Sequence, residues 1–197
     1  MVKEGTMHPT VESLRVASVK GEPLVYLCPN KKHSFAQQKA TLAALINQYS
    51  GQLLMLIDGV RGKEVTETLA SLNVELAPLF PEDADPEILD VSPIAAQVTG
   101  EDVAATFDLF WGLGIVSLAC TSRSEAQEHI ARQLYIEDAD GEVCLLRLQD
   151  PRALVRLADT LSIEQTQKLM GDVITCFLFE DGNGKVLTWD NPTVSEP

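Results

Sequence analysis

Positive charge is scarce in this chain: 15 Lys and Arg stand against 29 Asp and Glu, giving a formal net charge of −14. Such a field repels phosphate backbones and anionic lipid surfaces, which argues against nucleic acid as a ligand. Paired cysteines are missing. Cys28, Cys120, Cys144 and Cys176 lie far apart, with no Cys-x-x-Cys, and read as reduced core residues instead of a disulfide framework. His8, His33 and His129 are equally scattered, so the close ligand spacing of a zinc site is absent. No apolar run approaches the roughly 18 residues needed to span a bilayer. The start Met1-Val2-Lys3-Glu4-Gly5 has no apolar signal core. A cytoplasmic protein without membrane insertion is the expectation.

Catalytic constellations are lacking as well. Gly182-Asn183-Gly184-Lys185 is followed by Val186 and opens no helix, and Gly112-Leu113-Gly114 leads into a strand instead of out of one, so neither cradles a phosphate. Ser117 has no flanking glycines to form a nucleophile elbow. Asp138-Ala139-Asp140-Gly141 resembles a calcium loop only superficially, because a glycine at the sixth loop position would put Ile136 where the first ligand belongs. The run reads instead as a turn between a helix and a strand. His129 falls opposite Ile130 and Leu134 and reads as a helix-surface residue. Glu101-Asp102 and Glu137-Asp138 read as helix-start and solvated charges. The expectation is a protein that is not an enzyme, with no catalytic residue, no metal ligand and no cofactor.

What is present is a globular composition: 197 residues, 45% hydrophobic and 22% charged, enough for one compact domain. Residues 1–33 read as a lead-in with two short strands, Leu14 to Val19 and Leu24 to Leu27, 34–190 as the main domain and 191–197 as a tail. Four helix starts pair a hydroxyl with an acid or amide three positions on: Ser34 with Gln37, Thr99 with Asp102, Ser122 with Glu125, and Ser162 with Gln165. Apolar stripes follow the first two, Leu42-Leu45-Ile46-Tyr49 and Val103-Phe107-Phe110-Trp111. A shorter helix is predicted between Arg61 and Leu72. Strands are predicted at 53–57, 74–77, 94–98, 115–119 and 143–148, with 173–189 as a terminal antiparallel hairpin turning at Asp181-Gly182-Asn183-Gly184. The acidic stretch Pro81 to Glu87 reads as a surface loop. The fold class is α/β or mixed α+β, a central sheet covered by helices with a C-terminal β-hairpin.

One cluster is more specific. In Leu145-Leu146-Arg147-Leu148-Gln149-Asp150-Pro151-Arg152-Ala153-Leu154 a strand runs directly into a helix. Asp150 suits the N-cap and Pro151 the first helical turn, where its missing N–H costs nothing. Capping does not account for Arg147 and Arg152, which are expected to reach an acid such as Asp58 at the end of another strand.

These residues carry a family resemblance. The strand Leu53 to Ile57 ending in Asp58-Gly59-Val60, the pair Leu79-Phe80, Ser92-Pro93-Ile94, Trp111-Gly112 ahead of Ser117, His129-Ile130-Ala131-Arg132 and the Arg147 to Leu154 stretch occur in order. Together they resemble the type VI secretion effector adaptor (chaperone) proteins, long catalogued as a domain of unknown function, over Leu53 to Leu154. Asp58, Gly59, Trp111, Gly112, Arg147, Asp150, Pro151 and Arg152 are the family-motif residues the resemblance marks. Two departures stand out: Gln149 occupies a position where an aromatic is common in that family, and the region after Leu154 is short.

The resemblance implies a non-enzymatic adaptor that binds a secreted toxin and helps load it onto the trimeric spike protein VgrG. An immunity protein that neutralises a toxin is the alternative that acidity also suits, and an α/β hydrolase or transferase is the third. For the partner contact, an apolar core with an acidic rim is expected.

Overall fold

The structure, a computed structural model, describes residues 52–110, 116–137, 140–180 and 186–193. The expected N-terminal strands, the Ser34 cap with its stripe, Trp111, Gly112, Cys28, His8, His33 and the turn from Asp181 to Gly184 lie outside the described residues.

The apolar run Leu53–Ile57 forms β1, and every one of its residues is buried. A strand buried on both faces needs no polar alternation, which is why this stretch reads as a continuous hydrophobic run. It lies inside a six-stranded sheet of order β2-β3-β1-β4-β7-β8, formed by Leu76–Pro78, Ile94–Val98, β1, Val116–Cys120, Ile174–Glu180 and Val186–Asp190. All pairings are antiparallel, with Leu53 opposite Val98 on one side and Ala119 on the other. The fold is therefore mixed α+β. The expected C-terminal hairpin is the β7–β8 pair, in register from Cys176 opposite Asp190 to Glu180 opposite Val186.

Successive β1 side chains alternate between two cores, as strand geometry requires. Leu53, Met55 and Ile57 pack with Val65 and Leu69 of α1 (Lys63–Ser71) and Val103 and Phe107 of α3 (Gly100–Phe110). Leu54 and Leu56 pack with Ala126 and Ile130 of α4 (Arg123–Gln133), Leu154 of α5 (Pro151–Thr160), and Leu169 and Met170 of α6 (Ile163–Met170). Phe177 and Trp189 stack in this second core with ring centroids 5.6 Å apart.

The caps are local and form as the sequence predicts. Thr99 and Asp102 bond reciprocally, Ser122 accepts the Glu125 N–H, and Ser162 and Gln165 make a complete capping box. The predicted surface loop after Phe80 contains one short helical turn, α2 (Pro86–Leu89), opened by a proline that suits a first helical position.

Four expectations need correction. Cys144, expected in the core, lies exposed on the strand Val143–Leu145, whereas Cys120 and Cys176 are buried as expected. The strand predicted at 143–148 stops at Leu145, and Tyr135–Glu137, for which no strand is predicted, is a strand that pairs with it. These strands, β5 and β6, form a separate two-stranded ribbon, so the Asp138 to Gly141 segment joins two strands. The aromatic and β-branched residues Tyr135, Ile136 and Val143 favour extended pairing once a partner strand is present. His129, in turn, is not a simple surface residue: it is half-buried, with Nε2 2.8 Å from the Leu169 carbonyl. A carbonyl only accepts, so Nε2 carries the proton and ties α4 to the end of α6.

Because Leu56 is fully buried against that core, Leu56→Ala should cost about 2–5 kcal/mol in urea unfolding. Ile163, exposed on the first turn of α6, should tolerate Ala within about 0.5 kcal/mol.

Candidate functional site

Where β1 ends, Asp58 organises the chain. Its Oδ1 accepts the N–H groups of Val60 and Arg61, both at 3.0 Å, and its carbonyl accepts that of Gly62 at 2.8 Å. This turn feeds α1, whose N-cap, Gly62, has no side chain to do the capping. The other carboxylate oxygen, Oδ2, accepts Arg147 Nη2 at 2.9 Å. Asp58 retains 13% side-chain exposure and Arg147 50%, so solvent screens the pair and its net worth is about 1 kcal/mol or less. Its main effect is geometric: it fastens the end of the central strand to the segment that follows β6.

Gly59 packs on the backbone at Ser92, where any Cβ would run into the Ser92 carbonyl oxygen, so glycine is required by close approach. Ser92 is fully buried; its Oγ accepts the N–H groups of Leu79 (3.2 Å) and Phe80 (3.1 Å) and donates to the Pro93 carbonyl (3.0 Å). Three separate stretches are thereby held at one end of the sheet.

The fourth is the Arg147 to Leu154 junction. Asp150 is the N-cap of α5, accepting the Arg152 N–H at 3.0 Å, with Pro151 buried in the first turn. Arg152 folds back onto the same carboxylate through Nε, at 2.9 Å, and through Nη2. Burial pushes the Asp150 carboxyl up, but the hydrogen bonds from Arg152 and the charges of Arg152 and Arg147 outweigh it and hold the group below its ordinary value. Of the motif residues, Asp58, Gly59, Arg147, Asp150, Pro151 and Arg152 thus gather at this end of the sheet; Trp111 and Gly112 lie outside the described residues.

Between these segments runs an open groove of about 620 Å3. Asp58, Arg61 and Arg147 supply its charged part; Val60, Phe80, Val91, Pro93, Tyr135 and Leu145 supply hydrocarbon and rings. Val60, Val91, Tyr135 and Leu145 are all exposed large hydrophobics. Tyr135 and Leu145 sit directly opposite each other on the ribbon, and the Tyr135 ring lies 6.1 Å from that of Phe80. Exposed apolar residues clustered on one concavity are the usual mark of an interaction surface. Gln149 also lines the groove, and its Oε1 is buried without a hydrogen-bond partner among the described residues. An unmet buried acceptor costs about 1–3 kcal/mol.

Reasoning from sequence alone missed the groove-lining Tyr135, Leu145 and Gln149 as a set. The only signals were a polar residue at the end of an apolar run and two short β-favouring stretches. Among the described residues, the groove lining contains no serine, cysteine or histidine. Among the described residues no group of three or more His, Cys, Asp or Glu is placed to hold a metal ion. Burial pushes the Cys120 thiol up to about 11, despite the charge of Arg123, which leaves it protonated and poorly nucleophilic at neutral pH.

Asp150→Ala should cost about 1–2 kcal/mol through the lost cap, measured by urea unfolding at pH 7. Because the folded carboxyl titrates lower than the unfolded one, its contribution is present above the ordinary carboxylate value of about 3.9 and is lost as pH falls through the folded value. The difference between wild type and Asp150→Ala should therefore shrink on acidification below about pH 4.

None of the helices among the described residues is long and apolar enough to cross a membrane. No curated protein and no solved structure matches the chain. One family model does match, over residues 53–168, from the first residue of β1 into α6 and including every residue that lines the groove. That span is more than half of the chain, which accordingly belongs to the family described as Domain of unknown function (DUF4123).

Proposed function

We propose that this protein is a non-enzymatic, cytoplasmic adaptor that binds a type VI secretion effector and helps load it onto the VgrG spike. The observation that carries the reading is the groove at the Asp58 end of the sheet, where exposed Val60, Val91, Tyr135 and Leu145 border one concavity. Apolar surface of this kind gains by removal from water, and a partner chain is what can remove it. Family membership and the ordered motifs from Asp58 to Arg152 support the same reading.

Charge supports a second one. A net charge of −14 would also suit an immunity protein that covers the active site of a basic toxin. The two differ in what the bound toxin retains. An adaptor covers an aggregation-prone segment and leaves catalysis alone; an immunity protein blocks catalysis. A hydrolase or transferase reading has no support in the groove, where the described lining residues offer no nucleophile–base pair.

Co-expression with the toxin encoded beside this chain separates the readings. The adaptor reading expects a higher yield of soluble toxin, undiminished toxin activity in the purified complex, and recovery of the spike. Loss of toxin activity with no spike recovered would make the protein an immunity protein.

A further inference from the structure

The groove combines an unmet acceptor with connecting stretches rich in carboxylates, and the two together describe what fits it. Gln149 is only 6% exposed, and its Oε1 has no hydrogen-bond partner among the described residues. Phe80 and Val91 both line the groove, and residues 81–90 between them carry the exposed carboxylates of Glu82, Asp83, Asp85, Glu87 and Asp90 without a single Lys or Arg. Tyr135 and Leu145 line it too, and the ribbon between them adds exposed Glu137 and Glu142, again with no Lys or Arg. Inside the groove the charge of Arg147 is offset by Asp58; Arg61 is the other cation of the lining, set against the seven exposed carboxylates named on the two connecting stretches.

We propose that the groove receives an apolar segment of the partner protein flanked by Lys or Arg, with one N–H of that segment donated to Gln149 Oε1. This rests on the adaptor reading for the partner's identity and adds its chemistry. Apolar side chains of the segment cover Val60, Tyr135 and Leu145, while its flanking cations reach the acidic stretches. A segment flanked by carboxylates meets repulsion at both stretches. A second copy of this chain presents the same acidic stretches to itself, so self-association through this face is disfavoured. An apolar molecule without a donor leaves Gln149 Oε1 unmet.

The test uses the full chain and two fluorescein-labelled peptides that share the core Val-Leu-Phe-Val-Leu, one between pairs of lysines and one between pairs of glutamates, read by fluorescence anisotropy. At low salt the lysine-flanked probe should bind about tenfold tighter or more. That advantage should fade as ionic strength passes about 0.15 M, where the screening length is about 8 Å. Leu145→Asn and Val60→Asn, both at exposed positions, should each weaken it about tenfold with an unchanged circular dichroism melt. Gln149→Leu should weaken it about fivefold while the melting midpoint holds or rises, because the change also removes a buried unmet acceptor. A purely structural Gln149 would lower the midpoint and leave affinity alone, which would overturn the assigned bond. Equal binding of the two probes, or full affinity in both Asn variants, would overturn the proposal as a whole. A parallel arm repeats the co-expression with wild type and Leu145→Asn. If both recover effector and spike equally, the groove assignment fails and the adaptor reading stands. If the probes behave as expected but wild type recovers neither protein, the adaptor reading fails and the groove stands.

Discussion

The carboxylate of Asp58 is the point on which this end of the molecule depends. One oxygen holds the turn into α1 through the amides of Val60 and Arg61, and the other holds Arg147, 89 positions away in sequence. Neither contact is worth much alone, since solvent reaches half of the arginine side chain. Their joint effect is to fix where the central strand stops relative to the β6–α5 junction. Gly59 against Ser92, and Ser92 against Leu79 and Phe80, extend the same arrangement to the β2 and β3 side. A groove bordered by four sequence-distant segments exists because these short polar contacts hold the segments together.

Stability and the proposed binding surface reside in different parts of the fold. β1 is sealed between two apolar cores, and substitutions there act on the whole domain. The β5–β6 ribbon pairs only with itself among the described residues, and all six of its residues are exposed. A two-stranded ribbon is marginal on its own in water. It is anchored by the Leu146 N–H bond to the Leu134 carbonyl and by the contact of Tyr135 with Phe80. Surfaces that accept partners are commonly drawn from such lightly supported elements, where rearrangement disturbs few buried contacts.

The sequence was legible where the physics is local. The caps at Thr99, Ser122, Asp150 and Ser162 depend on residues within three positions, and each forms as its pattern indicates. β1 was legible because burial on both faces leaves an unbroken apolar run. The hairpin at 174–190 was readable from two β-rich stretches around a turn signal. The ribbon was not, because Tyr135 to Glu137 lies directly behind a well-capped helix and only pairing with Val143 to Leu145 makes it a strand. His129 was misread because helix periodicity identifies the face of a residue and not what later packs there, here the Leu169 carbonyl. The carboxylates of residues 81–90 and of the ribbon could be counted from the sequence, whereas the concavity arises from tertiary assembly.

Charge and shape converge on one end of the sheet: a neutralised arginine, a ring of exposed apolar side chains, an unmet amide oxygen and carboxylates on the bordering chain. Hydrogen–deuterium exchange of the protein alone and in complex with the proposed effector partner tests this placement most directly. Protection on binding should concentrate in residues 58–61, 79–93 and 135–149. Protection confined to α1 and α3 on the opposite core, with those three stretches exchanging as in the free protein, would contradict it.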